Sequence, residues 1–148
     1  YVNAPLLAEA RGITVRLSTD ATSSEYRNLL RISGSLSSGA TISVSGTLTG
    51  TKQTQKIVEI NGYDVEVPVA EHLIVMIYTD RPGIVAIYGK EFGEAGINIA
   101  GMQIARQSKG GQALSVLTVD SPVPDELLAS VATAIKAELL REIDIVDA

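Results

Sequence analysis

The run from His72 to Thr79, cut off at once by Asp80-Arg81-Pro82-Gly83, constrains this chain more than any other feature. From Leu73 to Thr79 every residue but Tyr78 is apolar or β-branched, and the apolar side chains fall on both faces. A short run of that kind, ended by turn chemistry, reads as a strand covered on both sides. The corner that follows reads as a helix start: Asp80 is placed to cap it, and Pro82 is tolerated in a first turn where its missing N–H has no partner. Ile84, Ile87, Tyr88, Glu91, Phe92 and Ala95 then recur at helical spacing, and Gly96 closes the segment. A second strand opens at Ile97-Asn98-Ile99. Free backbone N–H groups at the corner, a carboxylate and an asparagine make a small polar site at a strand-to-helix junction.

The rest of the second half follows the same grammar. Ile97–Gln107 and Gln112–Val119 are predicted strands joined by the turn Lys109-Gly110-Gly111. Pro124 with Asp125 and Glu126 begins a helix whose first-turn acids suit the positive end of its dipole. Leu127, Leu128, Val131, Ala132, Ile135 and Leu139 are its expected apolar stripe. Glu142–Asp147, with Ile143 and Ile145 inward, is expected to be an edge strand. Strand, helix, strand, strand, helix, strand is the ferredoxin-like plan. Its helices share one face, so Val75, opposite Met76, implies that the other face docks or dimerises.

The first half is richer in sheet. Asn3-Ala4-Pro5 starts a short helix that Gly12 ends, and Ile13, Val15 and Leu17 alternate as a half-buried strand. Ser18 to Glu25 reads as a loop. Leu30, Ile32 and Leu36 suggest a strand before the turn Ser37-Ser38-Gly39. Ile42, Val44 and Leu48 alternate with Ser and Thr, a strand with one wet face. Ile57 to Val67 is the clearest hairpin, because Asn61-Gly62 accepts positive φ twice. Pro68 to Glu71 is the expected boundary, too short for a loose linker. The expected fold class is therefore α+β: a sheet-rich unit over 1–70 and a ferredoxin-like βαββαβ unit over 71–148.

These residues carry a family resemblance. Asp80-Arg81-Pro82-Gly83-Ile84 and Gly96-Ile97-Asn98-Ile99 resemble the signature of an ACT domain, a small module that binds amino acids. The resemblance covers His72 to Ala148. Upstream, Ser45-Gly46-Thr47 and Gln55 to Gly62 resemble the intervening domain of long-form bacterial D-3-phosphoglycerate dehydrogenases, of the allosteric substrate-binding type. Residues 1–70 would be part of that domain, and the whole chain the C-terminal regulatory region of such an enzyme. A start at Tyr1 rather than methionine fits a piece of a longer protein.

The resemblance implies a site for an amino acid, L-serine first, at a contact between subunits. Tyr78, Asp80, Gly83 and Asn98 would line it, with Asn98 supplied by the neighbouring subunit. The chemistry fits: Asp80 accepts from the ammonium, the Asn98 amide donates to the carboxylate, and backbone N–H groups around Gly83 suit an anion. The bland reading makes Asp80 only a cap, Asn98 only a turn residue and Tyr78 a packed aromatic. Lys56, in the segment matching an anion site of some long-form members, is a candidate for a phosphorylated acid. A lone lysine is more often solvated, and Pro68 stands where an arginine partner would be.

Other chemistries are poorly supplied. One histidine and no cysteine leave neither a zinc cluster nor a Cys–His nucleophile to be read from the sequence, so no metal site and no catalytic residue are expected. His72 reads as solvated or capping, and Glu138, Glu142, Asp144 and Asp147 as a solvated helix end and strand face. Gly89, Gly93 and Gly96 fail the dinucleotide fingerprint; Gly93 reads instead as allowing close helix packing. No cofactor is expected here, with NAD belonging to a catalytic part elsewhere in the parent chain. A net charge of −5 argues against nucleic acid, and no apolar run approaches a bilayer span. The expected setting is cytoplasmic, with a homo-oligomer formed through ACT domains. The alternatives are a ligand-free assembly module and the regulatory part of a bacterial L-serine dehydratase.

Overall fold

The computed structural model describes residues 3–22 and 25–145. Two four-stranded antiparallel sheets and three helices make an α+β fold. A helix α1 (Ala4–Ala10) comes first, followed by β1 (Leu30–Ser35), β2 (Thr41–Thr49), β3 (Thr54–Ile60) and β4 (Tyr63–Pro68) in a simple meander. Asn61 and Gly62 both take positive φ between β3 and β4, the twist a two-residue hairpin needs.

The second sheet holds β5 (His72–Thr79), β6 (Ile99–Arg106), β7 (Gln112–Val119) and β8 (Leu139–Asp144) in the order β6-β7-β5-β8. Helices α2 (Ile84–Glu94) and α3 (Asp125–Ile135) connect them, giving the ferredoxin-like order. The central strand β5 is buried on both faces. Ile74, Met76 and Tyr78 pack under the helices with Ile84, Tyr88, Phe92, Leu117, Val131 and Ile135. Leu73 and Val75 turn the other way, onto Ile60, Tyr63, Val65 and Val67 of the β3–β4 hairpin. The docking surface expected on that face is thus filled from within the chain.

Several expectations are corrected. Residues 13–17 form no strand: they lie exposed without a ladder partner, and alternation alone does not hold an unpaired strand in water. On β2 the covered side is the polar one. Ser45 and Thr47 are buried, while Ile42, Val44 and Leu48 are exposed. The ladder puts Ile32, Val44, Ile60 and Tyr63 on one face, but the second sheet covers only its β3–β4 part, and β1–β2 overhang it. The hydroxyl side is sealed by its own bonds, Thr47 to Asn28 and Ser43 and Ser45 to Glu59.

Helix α2 starts at Ile84 behind a left-handed Gly83, so Asp80 is not its cap. It ends as expected, with left-handed Gly96 and the Ile97 N–H reaching back to the Phe92 carbonyl. Gly93 faces open space rather than a close neighbour, so tight helix packing is not its role in this chain. Helix α3 stops at Ile135 because Lys136 turns left-handed. That frees Leu139 to open β8 early, with Leu140 rather than Ile143 facing the core. The expected contribution of Asp147 lies outside the described residues.

Candidate functional site

The corner after β5 is shaped from three directions. The β5–β7 ladder fixes Thr79 opposite Gln112, and the Asp80 N–H donates to the Gly111 carbonyl at 2.7 Å. Gly83, at φ 91°, redirects the chain into α2, leaving the first N–H groups of that helix near the corner. Arg106 ends β6 beside them and donates from Nη1 to Asp80 Oδ2 at 3.0 Å. The corner therefore presents an anion and a cation side by side. Both remain partly open to solvent, with the Asp80 side chain 26% and that of Arg106 59% exposed.

Tyr78 sits beneath this corner rather than in it. Its side chain is buried, and its hydroxyl shares a hydrogen bond with the Ser115 hydroxyl at 2.7 Å. Tyr88 lies in the same core and donates to the Met102 sulfur. Burial pushes the Tyr88 phenol up to about 12, so that ring is a neutral packing element near neutral pH.

Asn98 is at the other end of the molecule from Asp80 within one chain. Its amide donates to Asp120 Oδ2 at 2.6 Å, and Asp120 donates its N–H back to the Asn98 carbonyl. β7 separates the two positions by 8 residues, which at about 3.3 Å per residue puts them on the order of 25 Å apart. No single chain joins Asp80 to Asn98.

Lys56 is engaged too. Its ammonium is 3.0 Å from Glu66 across the β3–β4 hairpin. It borders a cavity of about 530 Å³ whose other walls are largely apolar: Leu29, Leu30, Leu48, Ile57 and Val69.

Two of the charged constellations that escaped the sequence reading lie beside these positions. The first is Arg106 at Asp80; a signal existed, since a hairpin folded at Lys109-Gly110-Gly111 returns position 106 to the start of β7. The second surrounds Glu59, which accepts from the Ser43 and Ser45 hydroxyls, the Gly62 N–H and Arg31. Desolvation works to raise this carboxyl. The Ser43, Ser45 and Gly62 bonds, with the Arg31 charge, outweigh it and hold Glu59 down at about 2. Register shifts at Ser45/Gly46 and at Ile57/Glu59 mark the bulged strand that aims Glu59 this way.

The comparisons with known proteins agree with one another. Residues 1–61 match the family described as the D-3-phosphoglycerate dehydrogenase intervening domain. A D-3-phosphoglycerate dehydrogenase of Mycobacterium tuberculosis is 34% identical over 145 residues, 98% of this chain and 28% of that protein. The enzyme so named in Bacillus subtilis is 32% identical over 129 residues, covering 86% of this chain and 24% of that one. The one in Synechocystis is 31% identical over 131 residues, 88% of this chain and 23% of that protein. The chain thus spans about a quarter of the length of these curated relatives. Among the described residues no helix is long and apolar enough to cross a membrane. The chain belongs to the D-3-phosphoglycerate dehydrogenase family, of which it carries intervening-domain sequence and the C-terminal region after it, without the catalytic part.

Proposed function

We propose that residues 71–148 are an ACT domain that binds an amino acid, L-serine first, at a contact between two copies of the chain. Residues 1–70 are, in this reading, part of the intervening domain. Bound serine would report end-product level to a D-3-phosphoglycerate dehydrogenase, an NAD-dependent oxidoreductase of serine biosynthesis, in feedback control. The observation that carries the proposal is the Asp80–Arg106 pair at 3.0 Å beside the α2 N-terminus. A zwitterion matches such a pair: its ammonium goes to Asp80, and its carboxylate to Arg106 and the free N–H groups.

Asn98 enters from a second copy, since its own chain holds it far from Asp80. An unpaired edge supports that contact. β6 is an outer strand, and Met102 and Ile104 on it, with Val85 on α2, are exposed apolar side chains. Serine that bridges two copies favours one placement of them over others, and this difference in affinity is the regulatory signal. Tyr78 supports the floor of the site through Ser115 instead of touching the ligand. The anion site at Lys56 is the weaker proposal, because a phosphorylated acid would have to displace Glu66. The L-serine dehydratase alternative loses ground, since the relatives above carry the dehydrogenase name.

Calorimetry with L-serine on the chain and on Asp80→Asn and Asn98→Ala tests this. Each lost charge-assisted bond is worth about 1.5–3 kcal/mol, so each variant should bind roughly ten- to hundred-fold more weakly. Sedimentation should show the same dimer in all three without serine. Equal affinities in the variants would remove the site, and a dimer that takes up no serine would leave the ligand-free assembly reading in its place.

A further inference from the structure

We propose that His72, Glu142 and Asp144 form a binding site for a divalent transition-metal ion of the zinc class. The three are far apart in sequence, but the β5–β8 ladder brings them together: His72 stands opposite Asp144, and Ile74 opposite Glu142. With a period of two, all three side chains emerge on the helix-covered face. One ligand atom from each lies within 4.8 Å of the others. Ligands of a tetrahedral zinc at about 2.1 Å stand about 3.4 Å apart, so closure asks for side-chain adjustment and no backbone movement. Asp144 is free to make it, its side chain being 55% exposed, whereas the His72 side chain is only 13% exposed and holds its place.

Each donor has the supporting bonds a metal ligand needs. Glu142 uses one oxygen, Oε1, to accept from the Val123 N–H at 2.9 Å, which fixes the carboxylate and leaves its second oxygen available. His72 Nδ1 donates to Asp144 Oδ1 at 2.7 Å, while Nε2 lies 3.8 Å from Glu71 Oε1. An ion on Nδ1 takes the place of the proton shared with Asp144 and leaves Nε2–H facing Glu71, an outer partner rather than a ligand, so solvent fills the remaining positions. One imidazole nitrogen with carboxylate oxygens suits zinc and its neighbours better than calcium or magnesium, which prefer oxygen alone. Three carboxylates around one imidazole also leave an excess of negative charge that a dication neutralises and a proton on His72 only partly does. A bound ion would tie the first residue of β5 to β8 and to the residues before α3, at the junction between the two sheets. This site lies at the opposite end of β5 from the Asp80–Arg106 corner.

His72 is the chain's one histidine, so its imidazole gives a single resonance to follow. Tag-free chain stripped with EDTA is titrated with Zn²⁺ at pH 7.5 by NMR and calorimetry. The expected result is a saturating shift of that resonance at one equivalent per chain. Loss of an outer partner of a metal ligand weakens binding about 10- to 100-fold, so losing a ligand itself in His72→Gln or Glu142→Gln should cost at least as much. Uptake should also weaken at pH 6, where protons compete for the ring. A histidine resonance unmoved by excess Zn²⁺, or equal uptake by the chain and by Glu142→Gln, would overturn the proposal and leave a plain ion pair.

Discussion

Glu59→Gln is the substitution that most directly tests how the first sheet is held. The native carboxylate is almost sealed, its side chain 10% exposed, and it carries four donors. Its folded value of about 2 lies below the usual 4.5, so the unfolded chain binds a proton more readily than the folded one. Stability from this group is therefore present above the unfolded value and is lost as pH falls from about 4.5 toward 2. At about 1.4 kcal/mol per pH unit, the full difference is about 3 kcal/mol. Arg31, 59% exposed, is screened by water, which brings the expectation down to about 2 kcal/mol. Urea unfolding at pH 7, 5 and 3 measures it. Glu59→Gln should be less stable by about 2 kcal/mol at pH 7, and the gap to the parent should close by more than half between pH 5 and pH 3. The other carboxylates titrate in both proteins and cancel in the difference. A gap that stays constant across that range would refute the assigned protonation of Glu59.

Tyr78→Phe removes the 2.7 Å partner of the Ser115 hydroxyl in a dry core, leaving it the Tyr88 hydroxyl, and chemical denaturation should show a loss of about 0.5–1.5 kcal/mol. Gly101→Ala brings a Cβ to 2.7 Å from Thr118 Oγ1, so a cost of about 1–3 kcal/mol is expected. Gly93→Ala, which meets nothing within 4 Å, should stabilise α2 by about 0.5–1 kcal/mol, and thermal unfolding of the pair checks both signs. The Asp144 hydrogen bond, which outweighs desolvation, and the Glu71, Asp144 and Glu142 charges raise the His72 imidazole above its usual value. Its stabilisation should be complete below about 6.5 and fade as pH rises through the higher folded value. With EDTA present, His72→Gln should remove that slope from a stability profile between pH 5 and 9.

Local chemistry carried the parts of the fold that were legible beforehand. Asn61-Gly62 specifies its hairpin because few other residue pairs accept two positive φ values in succession. Gly96 marks the end of α2 for the same steric reason. The βαββαβ order of the second half follows from periodicities that switch between two and 3.6 at proline and glycine. The helix boundaries were less legible. Asp80 has the right chemistry for a cap, but its carboxylate is taken by Arg106, and a left-handed Gly83 starts the helix instead.

Sequence by itself determined which segments are strands and helices over most of the chain, because turn residues and side-chain period act within a few positions. Tertiary structure alone decided which faces are covered. β2 hides Ser45 and Thr47 and exposes Val44, since burial depends on what lies opposite and on whether hydroxyls find partners. It also decided which charges meet. Asp80 meets Arg106, and His72 meets Asp144 across 72 positions, because strand register, set by the whole sheet, chooses such neighbours.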